Sequence, residues 1–338
     1  MIAINYLDLK PMSVDQQIIQ NIFSENLDFS VTALELFRFQ YENNTVYKSY
    51  VDAINVNPYG VRELYQIPFL PVRFFKTHKV VTTEFAPEMI FESSGTTETI
   101  NSHHYVKDLN LYEKSFFNSF QKFYGNIKDW CILGLLPSYL ERQHSSLVYM
   151  VEMLIKESNH PLSGFYLNEF DALWDTLKTL EANKQKTLLI GVTFALLDFA
   201  ETHPLPLQHT AIMETGGMKG RKKEMIKQEV HDVLKRAFNL KSIHSEYGMT
   251  ELLSQAYSKG NGIFEAPPWM KILLRDDEDP LTMSAINKGI INVIDLANIY
   301  SCSFIATDDL GILHPDGSFE VTGRRDNSDL RGCSLLAL

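Results

Sequence analysis

The stretch Thr187-Leu188-Leu189-Ile190-Gly191-Val192 is a short apolar run, and Phe194 to Glu201 behind it has the spacing of a short helix. Thr210-Ala211-Ile212-Met213 repeats the strand pattern and runs into Gly216-Gly217. Strands that alternate with helices at this interval imply a largely parallel sheet covered by helices.

The alternation extends both ways. Upstream, Trp130 to Leu136 reads as a buried strand stopped by Pro137, and Ser145 to Glu157 as a helix. Leu111 to Tyr124 reads as a helix, and Met89-Ile90-Phe91 as a short strand ending in a polar loop. The first eighty residues read as mostly helical. Ser13 and Gln16 have capping-box spacing ahead of Ile18, Ile19, Ile22 and Phe23, and Val31 to Tyr41 fits a second helix. Ile67-Pro68-Phe69-Leu70-Pro71 should run extended. Downstream, Arg221 to Phe238 is the clearest helix, with Ile226, Val230, Val233, Leu234 and Ala237 on one face. Ser242 to Ser245 follows as a strand. After Gly260 the texture becomes β-rich, with strands at Gly289–Leu296, Ser303–Thr307 and Ser318–Val321 and a hairpin turn at Asp316-Gly317. The expected fold class is α/β, with layered mixed β-sheets, flanking helices and a small β-rich subdomain.

Composition narrows the function classes. At 338 residues the chain is too long for a small binding module, and 45% hydrophobic with 22% charged residues is a globular balance. A net charge of −11 argues against nonspecific binding to nucleic acid or to an anionic membrane surface. Three cysteines, Cys131, Cys302 and Cys333, fit neither a disulfide scaffold nor a zinc site. Met1 to Lys10 lacks a signal-peptide pattern and no stretch is long enough to span a membrane, so the expectation is a soluble cytoplasmic protein.

Three motifs carry chemistry. Ser93-Ser94-Gly95-Thr96-Thr97-Glu98-Thr99 sets hydroxyls around a glycine after a strand, which suits a phosphate loop and equally an ordinary polar turn. In Glu246-Tyr247-Gly248-Met249-Thr250-Glu251, Tyr247 can stack on a flat ring, Thr250 can bond a phosphoryl oxygen and Glu251 can hold Mg²⁺. The same residues suit a tight turn. Thr307-Asp308-Asp309-Leu310-Gly311 with Gly323-Arg324-Arg325-Asp326 offers a carboxylate for ribose hydroxyls and an arginine for phosphate, or simply two hairpin turns.

In this order the three resemble the core motifs of the adenylate-forming superfamily, over roughly Phe91 to Gly332. The resemblance implies an ATP-dependent acid–thiol ligase that uses Mg²⁺. Ser93, Ser94, Gly95, Thr96 and Thr97 match its phosphate loop, with Thr96 catalytic. Gly216 and Gly217 match its adenine-lining turn. Tyr247, Thr250 and Glu251 match its adenine, phosphate and magnesium contacts. Asp309 and Arg324 match its ribose and phosphate ligands. Residues 1–259 would form the adenylation core, and 260–338 a β-rich subdomain and tail packed into the same compact unit. Two departures stand out: Glu98 replaces the usual loop glycine, and the family's C-terminal cap domain with its lysine has no counterpart.

Asp329-Leu330-Arg331-Gly332-Cys333-Ser334-Leu335 further resembles the end of LuxE-type acyl-protein synthetases, as do Leu136-Pro137-Ser138-Tyr139-Leu140-Glu141-Arg142 and Ile190-Gly191-Val192-Thr193-Phe194. That resemblance implies a fatty acid as substrate, Cys333 as the acyl acceptor, and delivery to a reductase or carrier protein. Two rivals remain at this point: a ligase with CoA or a carrier protein as external thiol, and a non-catalytic nucleotide- or acyl-binding subunit. Cys131 and Cys302 read as core residues, His103-His104 as surface, and His144 as a helix-start or site residue. Arg221-Lys222-Lys223 reads as a solvated face.

Overall fold

The computed structural model describes residues 13–93, 100–136, 143–167, 169–216, 225–279, 281–283 and 287–325. Six of the expected site residues, Ser94, Gly95, Thr96, Thr97, Gly217 and Cys333, lie outside them.

The chain opens with three helices, each begun by a polar cap. The Gln16 side chain accepts from Ser13 N–H at 3.3 Å ahead of α1 (Val14–Ile22). Asp28 caps α2 (Phe29–Asn43) through Val31 N–H, and Asn44 caps α3 (Thr45–Ala53) through Tyr47 N–H. The expected second helix is thus longer at both ends. The extended proline stretch contains β1 (Leu70–Pro71), and α4 (Phe74–Thr77) follows. β2 (Met89–Glu92) and β3 (His103–Val106) then pair antiparallel, with Phe91 opposite His104.

α5 (Leu109–Tyr124) leads into the central sheet. β4 (Cys131–Leu135), α6 (Ser146–Ser158), β5 (Gly164–Phe165), α7 (Phe170–Ala182), β6 (Thr187–Gly191), α8 (Thr193–Thr202), β7 (Thr210–Glu214), α9 (Lys227–Phe238) and β8 (His244–Tyr247) alternate along the chain. The spatial order is β5-β4-β6-β7-β8, all parallel, closed by antiparallel β9 (Ala256–Ser258). The two-residue period of a strand divides the core between the two faces of this sheet. Cys131, Leu133, Leu135 and Leu189 pack with Leu173, Leu177, Leu196, Val230 and Leu234 from α7, α8 and α9. Ile132, Leu188 and Ile190 pack with Phe116, Phe120 and Val151 from α5 and α6. Ile226, expected on the buried face of its helix, is 68% exposed, because it is the cap ahead of α9 rather than part of its inner stripe.

The second sheet is antiparallel, in the order β10 (Ile263–Phe264), β14 (Phe319–Arg324), β13 (Phe304–Leu313), β12 (Lys288–Asp295) and β11 (Met270–Arg275). β1 joins it in parallel beside β13. Asp316-Gly317 turns β13 into β14, with Gly317 at φ 87° and Ser318 N–H bonded to Asp316. Cys131 and Cys302 are fully buried core residues, and burial pushes their thiols up to about 11 and about 12. Among the described residues no helix is long and apolar enough to cross a membrane.

Candidate active site

The second and third motifs meet where the two sheets join. Tyr247, at the end of β8, donates its hydroxyl to Asp309 Oδ2 at 2.9 Å. Asp309 is not at a strand end, as its motif suggested, but inside β13, opposite Arg324 and next to a register shift at Leu310 and Gly311. Arg324 Nε lies 3.7 Å from Asp309 Oδ1 and its side chain is about half exposed. A hydrogen bond to a charged group contributes about 1.5–3 kcal/mol, so this contact is a substantial clasp between sheets. The edges of Phe264 and Phe319 pack on the Tyr247 ring, which fixes its direction. Both Asp309 oxygens thus face protein groups, which a ribose would have to share.

Thr250 and Glu251 sit in a turn held from behind. Asn298 donates its amide to the carbonyls of Glu251 at 2.7 Å and Cys302 at 3.0 Å. That orients its own oxygen toward His104 Nε2 at 3.0 Å, while His104 Nδ1 lies 2.8 Å from the Thr250 carbonyl. His104 is therefore not a surface residue: it is 1% exposed, and burial pulls it down to about 4, against the two hydrogen bonds that hold it up. In β3 it points inward while His103 points out toward Glu92. Asp295 fixes the segment just after the turn, accepting from Leu253 N–H, Ser254 N–H and the Ser254 hydroxyl at 2.7, 3.0 and 2.6 Å.

The Glu251 side chain is nearly enclosed. Burial raises its pKa, and a hydrogen bond from Ser102 is the largest opposing influence. Ser102 N–H also donates to Ser93 Oγ at 2.9 Å, and Ser93 N–H donates back to the Ser102 carbonyl. The base of the Ser/Thr/Gly loop is thereby tied to the Glu251 carboxyl. Mg²⁺ usually binds one or two carboxylates together with substrate phosphates. A single enclosed carboxylate held by Ser102, which is bonded to Ser93, fits that role. Among the described residues no cluster of three His, Cys, Asp or Glu could hold a metal without such help.

Gly216 lies two residues beyond the neighbouring strand β7 at φ 77°, a conformation that favours glycine. Its N–H donates to Glu214 Oε2 at 2.9 Å, and the Thr193 hydroxyl reaches the same oxygen at 3.2 Å. Glu214 Oε1 faces Lys227 Nζ at 3.2 Å and His231 Nε2 at 3.6 Å. Burial alone would raise this carboxyl, but His231, Lys227, Ser245 and Gly216 together hold it well below the usual range. Glu214 was not singled out in the sequence; its partners come from four separate segments.

Glu246, beside Tyr247, was also missed. It keeps partial solvent access by surface area, yet the atoms packed around it, and then the charge of Glu214, push its carboxyl up to about 8. A Cβ at Gly248 would meet Glu246 Oε1, the tip of a flexible side chain, and would press on Gln255. His144 bonds the β2 backbone, through its ring to the Ile90 carbonyl at 3.1 Å and its own carbonyl to Glu92 N–H.

Tyr247, Asp309 and Arg324 thus form one contact group and Ser93, Ser102 and Glu251 another, joined by the backbone from Tyr247 to Glu251, and Gly216 follows the strand next to β8. No protein-family model matches the chain. It is 22% identical over 329 aligned positions to a long-chain-fatty-acid–luciferin-component ligase of Aliivibrio fischeri, covering 89% of this chain and 85% of that protein. The ATP-bound structure of MatB from Rhodopseudomonas palustris superposes with a TM-score of 0.52 at 18% identity, over 70% of this chain and 47% of MatB. The chain thus spans about half the length of that structure. A 2-hydroxyisobutyryl-CoA ligase in its postadenylation state, in complex with R3-HIB-AMP, superposes with a TM-score of 0.62 at 10% identity, over 97% of this chain and 74% of the ligase. The fold is shared with these two solved ligase structures.

Proposed function

We propose that this chain, built on the adenylate-forming fold, activates a carboxylic acid with ATP and passes the acyl group to a thiol. The observation that carries the reading is the Tyr247–Asp309 clasp, which brings the second and third motifs together, with Glu251 tied to the loop base through Ser102. A carboxylate oxygen of the acid attacks the α-phosphorus of ATP. The bond to the β-phosphate oxygen breaks, and pyrophosphate leaves. Thr250, with Thr96 and Thr97, donates to the phosphoryl oxygens as charge builds on them. Mg²⁺, held by Glu251, would neutralise charge on the phosphates when bound. A thiolate then attacks the acyl carbonyl, the C–O bond to phosphate breaks, and AMP leaves.

The favoured acid is a long-chain fatty acid and the favoured thiol is Cys333, which would hand the acyl group to a reductase or carrier protein. The likeness to the long-chain-fatty-acid–luciferin-component ligase of Aliivibrio fischeri supports the fatty acid. The resemblance of the Cys333 segment supports the acceptor. The test is exchange of labelled pyrophosphate into ATP with a panel of fatty, short and aromatic acids. The expected result is exchange that requires an acid and is fastest with a long chain. ATP binding without exchange for any acid would favour the non-catalytic subunit and overturn the proposal.

A further inference from the structure

The first two turns of α9 carry Lys227 and His231, four residues apart and so on one face of the helix. Both face Glu214 Oε1, Lys227 Nζ at 3.2 Å and His231 Nε2 at 3.6 Å. Each also reaches past it, toward Tyr247. Lys227 Nζ lies 4.6 Å from the centre of the Phe264 ring, and Phe264 meets the Tyr247 ring edge-on with centroids 6.0 Å apart. His231 Nε2 lies 3.4 Å from the hydroxyl of Ser245, which precedes Tyr247 by two residues and lies opposite Glu214 in the β7–β8 pairing. On its other side, Glu214 Oε2 accepts from Gly216 N–H, and the Gly216 carbonyl accepts from Thr193 N–H at 2.9 Å. Glu214 is 3% exposed. One buried carboxylate therefore joins the Gly216 turn to the support of Tyr247.

We propose that Glu214 is a positioning residue of the nucleotide site, and that its pair with Lys227 sets the Gly216 turn and Tyr247 at the spacing that receives the base. The proposal rests on the adenylation reading for its ligand, since that reading gives Gly216 and Tyr247 their adenine contacts. A turn with glycine at positive φ has few restraints of its own, so a carboxylate that takes its N–H narrows its choices. Removing the charge on Lys227 leaves a buried carboxylate short of its compensation, which is costly where water cannot replace it. The Gly216 turn and the Phe264 ring then lose a common anchor, and with it the fixed distance between the two walls.

Glu214→Gln keeps the shape and an oxygen for Gly216 N–H but ends the ion pair. Lys227→Met ends it from the other side, and Lys227→Arg keeps the charge. The test measures adenosine, AMP and ATP binding to each variant by calorimetry, beside the KM and kcat of pyrophosphate exchange. Glu214→Gln and Lys227→Met should each weaken adenosine about ten-fold, with equal factors for AMP and ATP, because the walls meet the base. The ATP KM should rise by the same factor at unchanged kcat, the mark of binding lost equally from ground and transition states. Lys227→Arg should keep most of the affinity. Glu214→Gln and Lys227→Met combined should lose no more than either alone, because both break one pair. A role in folding alone would lower the number of binding sites and kcat together and leave the adenosine affinity unchanged, and that result would overturn the proposal. A loss confined to ATP, or losses that add when the two substitutions are combined, would overturn it as well. Wild-type ATP binding without exchange would sink the adenylation reading and still leave the adenosine comparison to decide Glu214. Absence of wild-type nucleotide binding would sink both.

Discussion

Glu251→Gln is expected to lower acid-dependent pyrophosphate exchange at least about 100-fold while leaving the fold intact. The substitution removes a charge and almost no volume, and the amide oxygen can still accept from Ser102. The turn is held by its backbone, through Asn298 and His104, so it does not depend on the carboxylate. Enclosing a neutral amide costs less than enclosing a charge, so the melting temperature should stay level or rise. What disappears is the anionic ligand for a cation on the phosphates. A hundred-fold loss is about 2.7 kcal/mol of transition-state stabilisation, within the range seen when one preorganised electrostatic group is deleted. Exchange within about three-fold of wild type, an effect of under ~0.7 kcal/mol, would remove Glu251 from the reaction.

Glu246→Gln should act on stability, with a pH dependence whose direction is set by burial. The folded carboxyl is pushed up to about 8 from an ordinary 4.5. Below about pH 4.5 it is protonated in both states, and the substitution is neutral. As pH rises toward 8 the unfolded chain ionises while the folded chain keeps its proton, so the wild type loses stability that the glutamine variant retains. Above about 8 the difference is constant. The full gap corresponds to a ceiling near ~5 kcal/mol, and partial solvent access reduces the expected gain to about 2 kcal/mol. Urea unfolding of both proteins at pH 5, 7 and 9 checks this. A difference independent of pH would mean that Glu246 is not held protonated.

The largely parallel, helix-covered sheet was legible because β4, β6 and β7 are short apolar runs at regular spacing, separated by stretches with helical patterning; the strand order was not. The β2 strand and the late hairpin were legible for similar reasons. Of the residues that the three motifs marked, the fold joins Tyr247 to Asp309 and Arg324, and Glu251 to the Ser93 segment through Ser102. What escaped was the support behind them. His103-His104 reads as a polar surface pair, yet strand alternation sends one ring out and the other into a buried network with Asn298, 194 residues away. Glu214 looks like an ordinary carboxylate at a strand end. Its role depends on Lys227 and His231 from α9 and on Thr193 from α8, which no local pattern announces. Asp309 was placed at a strand end because its Thr-Asp-Asp-Leu-Gly context resembles a turn. A register shift inside a long strand lets those residues pair instead.

The most direct measurement is intact mass. The full chain is incubated with Mg·ATP and a long-chain fatty acid, weighed, then treated with neutral hydroxylamine and weighed again. The account predicts a gain of one acyl group that hydroxylamine removes, that maps to Cys333, and that Cys333→Ser abolishes without slowing pyrophosphate exchange. A hydroxylamine-labile adduct undiminished in Cys333→Ser would contradict the assigned acceptor. Exchange with no adduct, and AMP release only when CoA or a carrier protein is added, would show that the thiol lies outside this chain.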